Sequence, residues 1–225
     1  MKSWIIAGIL CGGLTLAAAN FDELCSAGAQ AAKEKDFVTA EAKYGEAVDA
    51  AETSQQKCRA VLGKFQAMRR LKKSQEAEKF ALAAAEDEMI KPQEARNILN
   101  TVAAAYLWSK GKQDFALNLL RQAQNCEAPK NGNVYYRTYY YMALVYLRQD
   151  QPQAAIETLE NILQTKGIHP ANLYSANMVI GKAYEKLGKT EKALEHYRTA
   201  LENGKKVKYK FNLSEAEKAI GRLEK

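Results

Sequence analysis

The 225-residue sequence predicts an all-α fold, a solenoid of about five helical hairpins closed by a C-terminal helix. One observation is a period of 37 to 39 residues between alanines, and a second is a column of mostly small residues twelve positions before each alanine. Close-packing residues on one helix opposite an apolar stripe on the next indicate two antiparallel helices. The two columns are Ala40, Ala77, Ala116, Ala155 and Ala193, and Gly28, Phe65, Ala104, Ala143 and Gly181.

Turn residues divide each copy into two helices. Lys35, Gly111, Asp150 and Gly188 follow the small residue by seven positions, where a left-handed residue commonly ends a helix. The second copy lacks a turn glycine, and its Gly63 competes with Phe65 for the close-packing position. The predicted hairpins cover residues 21–51, 58–90, 97–128, 136–167 and 174–203.

The segment 204–225 is predicted to be a basic linker and a capping helix. Ser214 and Glu217 have the spacing of a capping box, which opens a helix. Solenoids need such a terminal element to cover the apolar face of the last repeat.

The fifth copy resembles the tetratricopeptide repeat family. It has the family's large–small, aromatic, Gly, Ala, aromatic, Ala pattern, and the likeness extends over roughly residues 21–203. The resemblance implies a right-handed superhelix and a protein-interaction module whose concave surface is lined by the first helix of each hairpin. The residues that carry the pattern are Ile180, Gly181, Tyr184, Gly188, Ala193, Tyr197 and Ala200.

Residues 1–19 are predicted to be a secretory signal peptide. Lys2 precedes an apolar run at 4–16, and Ala17 to Ala19 supply small residues for cleavage near Ala19. An N-terminal membrane anchor is the alternative, but the run is shorter than the roughly 20 apolar residues that span a bilayer. We therefore expect an exported protein, periplasmic or secreted, with the solenoid at 20–203.

Chemistry-bearing motifs are sparse. His169 and His196 fit neither a metal-ligand spacing nor a catalytic triad. Gly188-Lys189-Thr190 ends a match to the phosphate-loop pattern, but that loop needs a preceding strand and a helix is predicted there. We expect no enzymatic activity, no cofactor and no bound metal. Whether Cys25 and Cys58 form a disulfide is left open, because their positions in the repeat differ by about one helical turn.

The repeat register places a set of basic, polar and aromatic residues on the concave surface. Arginine pairs bidentately with carboxylates, and tyrosine offers a large surface with a polar tip. Tyr140 is the favoured contact residue, whereas Tyr139 and Tyr146 fall on the packing stripe. The predicted groove, which suits an extended or acidic polypeptide, contains Arg59, Gln66, Arg70, Thr101, Trp108, Arg137, Tyr140, Arg148, Lys182 and Lys186.

Two other functions fit the same sequence. A structural or oligomerising subunit could associate through the ends of the solenoid without a peptide ligand, since charges on helices often form only a solvated face. A polyanion binder could use the net charge of +7. We expect a protein partner rather than nucleic acid, in a cell-envelope assembly, and homo-oligomerisation stays open.

Overall fold

The computed structural model describes residues 20–165, 167–208 and 211–225, and the regular elements in these ranges are eleven helices. The predicted signal peptide lies outside the described residues. None of the described helices has both the length and the apolar character to cross a bilayer. The helices are α1 (Phe21–Lys33), α2 (Phe37–Asp49), α3 (Ser54–Arg70), α4 (Ser74–Ala85), α5 (Pro92–Tyr106), α6 (Gln113–Asn125), α7 (Gly132–Arg148), α8 (Pro152–Leu163), α9 (Pro170–Lys186), α10 (Thr190–Lys205) and α11 (Ser214–Leu223).

The first ten helices form five hairpins. The first helices α1, α3, α5, α7 and α9 pack against one another in succession. The second helices α2, α4, α6 and α8 each pack between two first helices, and α10 packs on α9. The last helix, α11, packs on α10. The predicted all-α solenoid with a capping helix is confirmed.

The first helices of hairpins two to five begin earlier than the sequence analysis placed them. They start at residues 54, 92, 132 and 170, whereas the predicted starts were 58, 97, 136 and 174. The predicted bounds followed the repeat motif, which begins about one turn inside each helix. The actual starts are set by local signals, among them the Thr53–Gln56 capping box and prolines at the first position of α5 and α9.

The turn inside every hairpin contains one residue in the left-handed conformation. Lys35, Gly111, Asp150 and Gly188 have φ of 66°, 73°, 56° and 68°, as their positions predicted. Lys72, with φ 64°, takes the same place in the second hairpin. The left-handed residue ends each first helix and aims the chain into the second.

Small residues in the first helices make room for tyrosine rings. A Cβ atom on Gly181 would lie 2.6 Å from the Tyr197 ring, and one on Gly28 would lie 3.1 Å from Tyr44. Gly63 faces the same Tyr44 ring from the next hairpin, even more closely. In the second copy, Gly63 is therefore the close-packing residue, because it leaves room for the Tyr44 ring of the preceding hairpin. Phe65 is fully buried in the core.

Cys25, Cys58 and Cys126 are free thiols. The Sγ atom of Cys58 lies 3.8 Å from Nδ2 of Asn97 on α5, so it points to the following hairpin and away from Cys25. The disulfide considered from the sequence is therefore absent from this structure.

The capping box predicted at Ser214 does not form. Ser214 is the first residue of α11 and Leu213 takes the cap position, with no side-chain cap bond. The Ser214 backbone N–H donates to Oδ1 of Asn212 at 3.0 Å instead. The chain enters α11 one residue earlier than the motif required, so the serine hydroxyl misses the cap position.

Candidate partner-binding groove

Four of the ten predicted groove residues line one cavity. Trp108, Tyr140, Arg148 and Lys182 surround a space of about 330 Å³ where α7, α9 and α11 meet. Trp108 comes from the turn of the third hairpin, so residues of three hairpins and the cap contribute. We name this space the Trp108 cavity.

The floor of the Trp108 cavity is apolar. Leu144 and Leu147 of α7 face Tyr174, Met178 and Val179 of α9, and those three α9 side chains are buried. Glu215 of α11 closes one side. The cavity therefore offers apolar contact below and charged groups at the rim, as binding pockets commonly do.

Trp108 is an exposed aromatic held by a cation. Its side chain is 64% exposed, which is unusual for tryptophan. The Arg148 guanidinium lies 4.8 Å from the centre of the indole ring, within cation–π distance. The two side chains form a preorganised rim that presents a flat apolar face and a positive charge together.

Tyr140 is half-buried against its neighbours. Its ring stacks on Tyr136 at 5.5 Å between centroids with an interplanar angle of 21°. Burial raises the pKa of Tyr140, so its hydroxyl stays protonated at neutral pH and can donate a hydrogen bond. Tyr140 thus contributes one ring face and one donor to the Trp108 cavity.

The tyrosine of α7 that is buried in the core is not one of those that the sequence predicted. Tyr139 and Tyr146 are only half-buried and line an outer cavity of about 380 Å³ with Arg121 and Glu157. Tyr136 is the member of the run that is buried in the core. The helix begins at residue 132 and its packing against α8 and α9 turns Tyr136 inward, which the repeat alignment did not show.

Three of the predicted groove cations have a carboxylate partner about one repeat away. Lys182 pairs with Glu215 at 2.6 Å, Lys186 with Asp150 at 2.6 Å, and Arg59 with Asp22 at 3.3 Å. First helices lie side by side, so a residue meets the one that occupies a similar place in the next hairpin. The groove is therefore less basic than the sequence indicated, although these exposed pairs cost little to open.

Arg137 and Thr101 are brought together. The Arg137 guanidinium donates to the Thr101 hydroxyl at 3.3 Å and to Oδ1 of Asn97 at 3.1 Å, and it lies over the Tyr141 ring. These contacts hold α7 against α5. Arg137 is thus engaged within the solenoid itself.

The remaining predicted residues lie apart from the Trp108 cavity. Gln66 and Arg70 border a space of about 490 Å³ beside Phe37 and Tyr44. Arg59 borders another of about 590 Å³ between α3 and α5. In the described part of the chain, Arg70 and Arg148 have no ion-pair partner.

The cavity beside Arg59 contains residues that the sequence analysis missed. Oε1 of Gln93 and Oε2 of Glu94 are buried without a hydrogen-bond partner among the described residues. Cys58 lines the same space, and burial raises the pKa of its thiol to about 11. Residues 93 and 94 fell outside the predicted third hairpin, and Pro92 at the first helical position was the signal that could have included them.

Both histidines have structural contacts. His169 caps α9, where its Nδ1 accepts from the Ala171 N–H at 3.1 Å. His196 lies 2.9 Å from Oδ1 of Asn177 and stacks on Tyr184, and burial lowers its pKa. Within the described ranges, no group of three His, Cys, Asp or Glu side chains is placed to hold a metal ion.

The fourth and fifth hairpins match a known family. The sequence model described as "Tetratricopeptide repeat" matches residues 137–165 and 176–203, which cover α7–α8 and α9–α10. These two hairpins are tetratricopeptide repeats. No curated protein matches it significantly.

Solved structures share the repeat fold along most of the chain. The MamA protein is 22% identical, with a TM-score of 0.57, over 83% of this chain and 92% of MamA. A thermophilic tetratricopeptide repeat protein of Thermus thermophilus is 16% identical, with a TM-score of 0.56, over 90% and 98% of the two chains. PilF of Pseudomonas aeruginosa is 18% identical, with a TM-score of 0.56, over 90% and 88%. At these identities the likeness shows the fold.

Proposed function

We propose that this tetratricopeptide repeat protein is a non-enzymatic scaffold that binds an extended, acidic polypeptide in its concave groove. The observation that carries the proposal is the Trp108 cavity, where an exposed tryptophan and an arginine without a carboxylate partner in the described ranges stand over an apolar floor. Aromatic and arginine side chains dominate binding energy at protein interfaces. The Trp108 cavity is therefore the expected anchor of the partner.

The chemistry of the cavity defines the segment that it accepts. Leu144, Met178 and Val179 favour a large apolar side chain, and Tyr140 adds a ring face and a hydroxyl donor. Arg148 can pair with a carboxylate placed beside that side chain. The preferred motif is thus an apolar residue next to Asp or Glu.

Lys182 can add a second contact to the same motif. Its ion pair with Glu215 leaves 51% of the lysine side chain and 61% of the glutamate side chain exposed. Exposed pairs of this kind contribute little to stability, so a partner carboxylate can replace Glu215 at small cost. Arg70, on the second hairpin, is positioned for acidic residues further along an extended chain.

A cell-envelope location is part of this proposal. It rests on residues 1–19, whose charge, apolar run and small residues have the order of an export signal. Expression of a fusion to alkaline phosphatase, which needs an oxidising compartment for its disulfides, tests export. Phosphatase activity that depends on residues 1–19 is expected, and a fusion that is inactive, or equally active without residues 1–19, would contradict it.

Photocrosslinking in cells tests the groove. A photoreactive amino acid replaces Trp108, and the matched control places it at Glu195, an exposed position on α10 in the outer layer. We expect a polypeptide captured at 108 and absent at 195. Its capture should fall about tenfold in the Arg148→Ala background, because a charge-assisted contact contributes about 1.5 kcal/mol.

The two other candidate functions predict different results, one in the crosslinking and one in binding measured with the purified protein at different salt concentrations. Capture of a second copy of this chain from position 108 would favour the oligomerising subunit. Binding that collapses between low and moderate salt would favour the polyanion binder, since counterion release dominates such binding. An aromatic-anchored peptide should weaken less with salt.

A further inference from the structure

The turns inside the five hairpins lie along one edge of the solenoid, which we name the turn edge. It comprises residues 33–36, 69–73, 107–112, 148–151 and 186–189. Contacts from one turn to the next turn, or to the helix residues beside it, show the alignment. Arg69 donates to the Ala105 carbonyl at 3.5 Å, Gln149 to Asp114 at 2.7 Å, and Lys186 to Asp150 at 2.6 Å.

The turn edge is strongly basic. Its residues include eleven Lys or Arg and three Asp or Glu, a net charge of +8. The second and third turns, 69–73 and 107–112, contain six cations and no carboxylate. Lys73 pairs with Glu41, which lies outside the edge, whereas Asp150, the partner of Lys186, is already counted in the sum.

The opposite edge is far less basic. The linkers 50–53, 86–91 and 126–131 include two lysines and five acidic residues, a net charge of −3, and the segment after α10 at the same edge adds Lys206 and Lys208. The 17 residues of α3 separate the two edges by about 25 Å. This asymmetry orients the protein in an electric field, with the turn edge toward negative charge.

Exposed apolar side chains lie on or beside the turn edge. Trp108 projects from the third turn, two residues before Lys110 and four before Lys112. Val38, 68% exposed, follows the first turn. Tryptophan beside lysines is typical of the interface between a bilayer and water, where an amphipathic ring and flexible cations both find partners.

We propose that the turn edge docks on an anionic lipid bilayer, with its lysines at the headgroups and Trp108 in the interfacial layer. A row of turn tips along one edge suits a planar surface, and it offers no channel that would follow a nucleic acid strand. Lysines act here as point charges in a diffuse anionic layer. Docking of this kind needs no peptide partner, but it uses the Trp108 ring that the proposed peptide would contact, so a bilayer and a peptide would compete for this side chain.

Vesicle binding by the full chain tests the proposal. The turn-edge variant combines Lys72→Asn, Lys110→Gln and Lys189→Gln, which are exposed residues outside the groove and without an ion pair in the described ranges. Asparagine suits the left-handed backbone at position 72. The control combines Lys79→Gln, Lys130→Gln and Lys218→Gln, exposed lysines away from the turn edge with the same change in net charge.

Partition is measured with vesicles of phosphatidylcholine alone and of phosphatidylcholine mixed equally with phosphatidylglycerol. We expect binding that requires phosphatidylglycerol and that falls about fivefold for each turn-edge lysine, about a hundredfold for the variant. The control should lose no more than about threefold, because its lysines lie about one Debye length or more from the surface, where salt screens their attraction. The unaltered chain, the turn-edge variant and the control all contain residues 1–19, so any binding by that segment cancels when their partition coefficients are compared.

Three results would overturn the proposal. The unaltered chain could ignore phosphatidylglycerol, or the two variants could lose binding equally, which would reduce the effect to net charge. Preferential binding of a single-stranded oligonucleotide, lost in the turn-edge variant, would assign the edge to nucleic acid instead. The vesicle assay contains no polypeptide partner, so its result does not decide whether a peptide binds. Crosslinking at position 108 tests peptide binding separately.

Discussion

The guanidinium of Arg96 donates to the carbonyl oxygen of Cys126 at 2.7 Å, and it is fully buried. The same group donates to the carbonyls of Ala123 and Pro129, each at 2.9 Å, and lies over the Tyr135 ring. One side chain of α5 thus satisfies the end of α6 and the linker that follows it. The third and fourth hairpins are joined through this arginine.

Replacement of Arg96 by Met should destabilise the protein by about 3 kcal/mol, because several buried carbonyls lose their donor. Arg96→Lys should recover little of the loss, since an ammonium group cannot reach three carbonyls with the geometry of a guanidinium fork. Urea denaturation measures both. Arg121→Met, at an exposed position of α6, is the control and should change stability by less than about 0.5 kcal/mol.

Gly181→Ala should destabilise the fifth hairpin by about 1 to 3 kcal/mol, because the added methyl group would overlap the Tyr197 ring. The ring cannot move away easily, since it is buried and its hydroxyl donates to Glu185. Gly221→Ala on α11 meets open space and should stabilise by about 0.5 to 1 kcal/mol. Thermal denaturation of the two variants should therefore shift in opposite directions, and a shared direction would refute the packing argument.

Lys72→Gly should stabilise the second hairpin by about 1 kcal/mol. The lysine has φ 64°, a conformation in which its Cβ is strained and glycine is not. The same change at Lys79, inside α4, should destabilise by about 1 kcal/mol, since glycine is a poor helix former. Urea midpoints that fall in both variants would show that the turn gains nothing from glycine.

Attachment of α11 should weaken in acid through Glu185. The Arg222 guanidinium, at 2.7 Å, and the Tyr197 hydroxyl hold the pKa of Glu185 below its usual 4.5. A lowered folded-state pKa means that the stabilisation is complete above about pH 4.5 and is lost as pH falls through the lower, folded-state value. The effect is small, since Arg222 is largely exposed and solvent screens its charge.

Hydrogen exchange of the α11 amides measures this dependence. In the unaltered protein their protection should decline below about pH 4.5 relative to that of α9. Glu185→Gln and Arg222→Gln should each lower the protection at neutral pH and remove the additional decline. A decline that persists in both variants would assign the acid sensitivity to other groups.

Local patterns in the sequence were sufficient for the repeat architecture. The alanine period located the five hairpins, and the turn position seven residues after the small residue located left-handed residues as different as Lys35 and Gly188. Each of these signals depends on residues within one hairpin. The helix starts were missed because a repeat motif records packing positions, whereas a helix begins at its cap, as at Pro92 and Pro170.

Contacts between hairpins were decided only by the tertiary structure. Asp22 meets Arg59 and Asp150 meets Lys186 because neighbouring first helices lie side by side, and these pairs reduce the positive charge that the sequence assigned to the groove. The α11 wall of the Trp108 cavity and the buried cation of Arg96 depend on the same long-range packing. Residues about one period apart have no local signature in a single sequence, so their pairing emerges only when the hairpins stack.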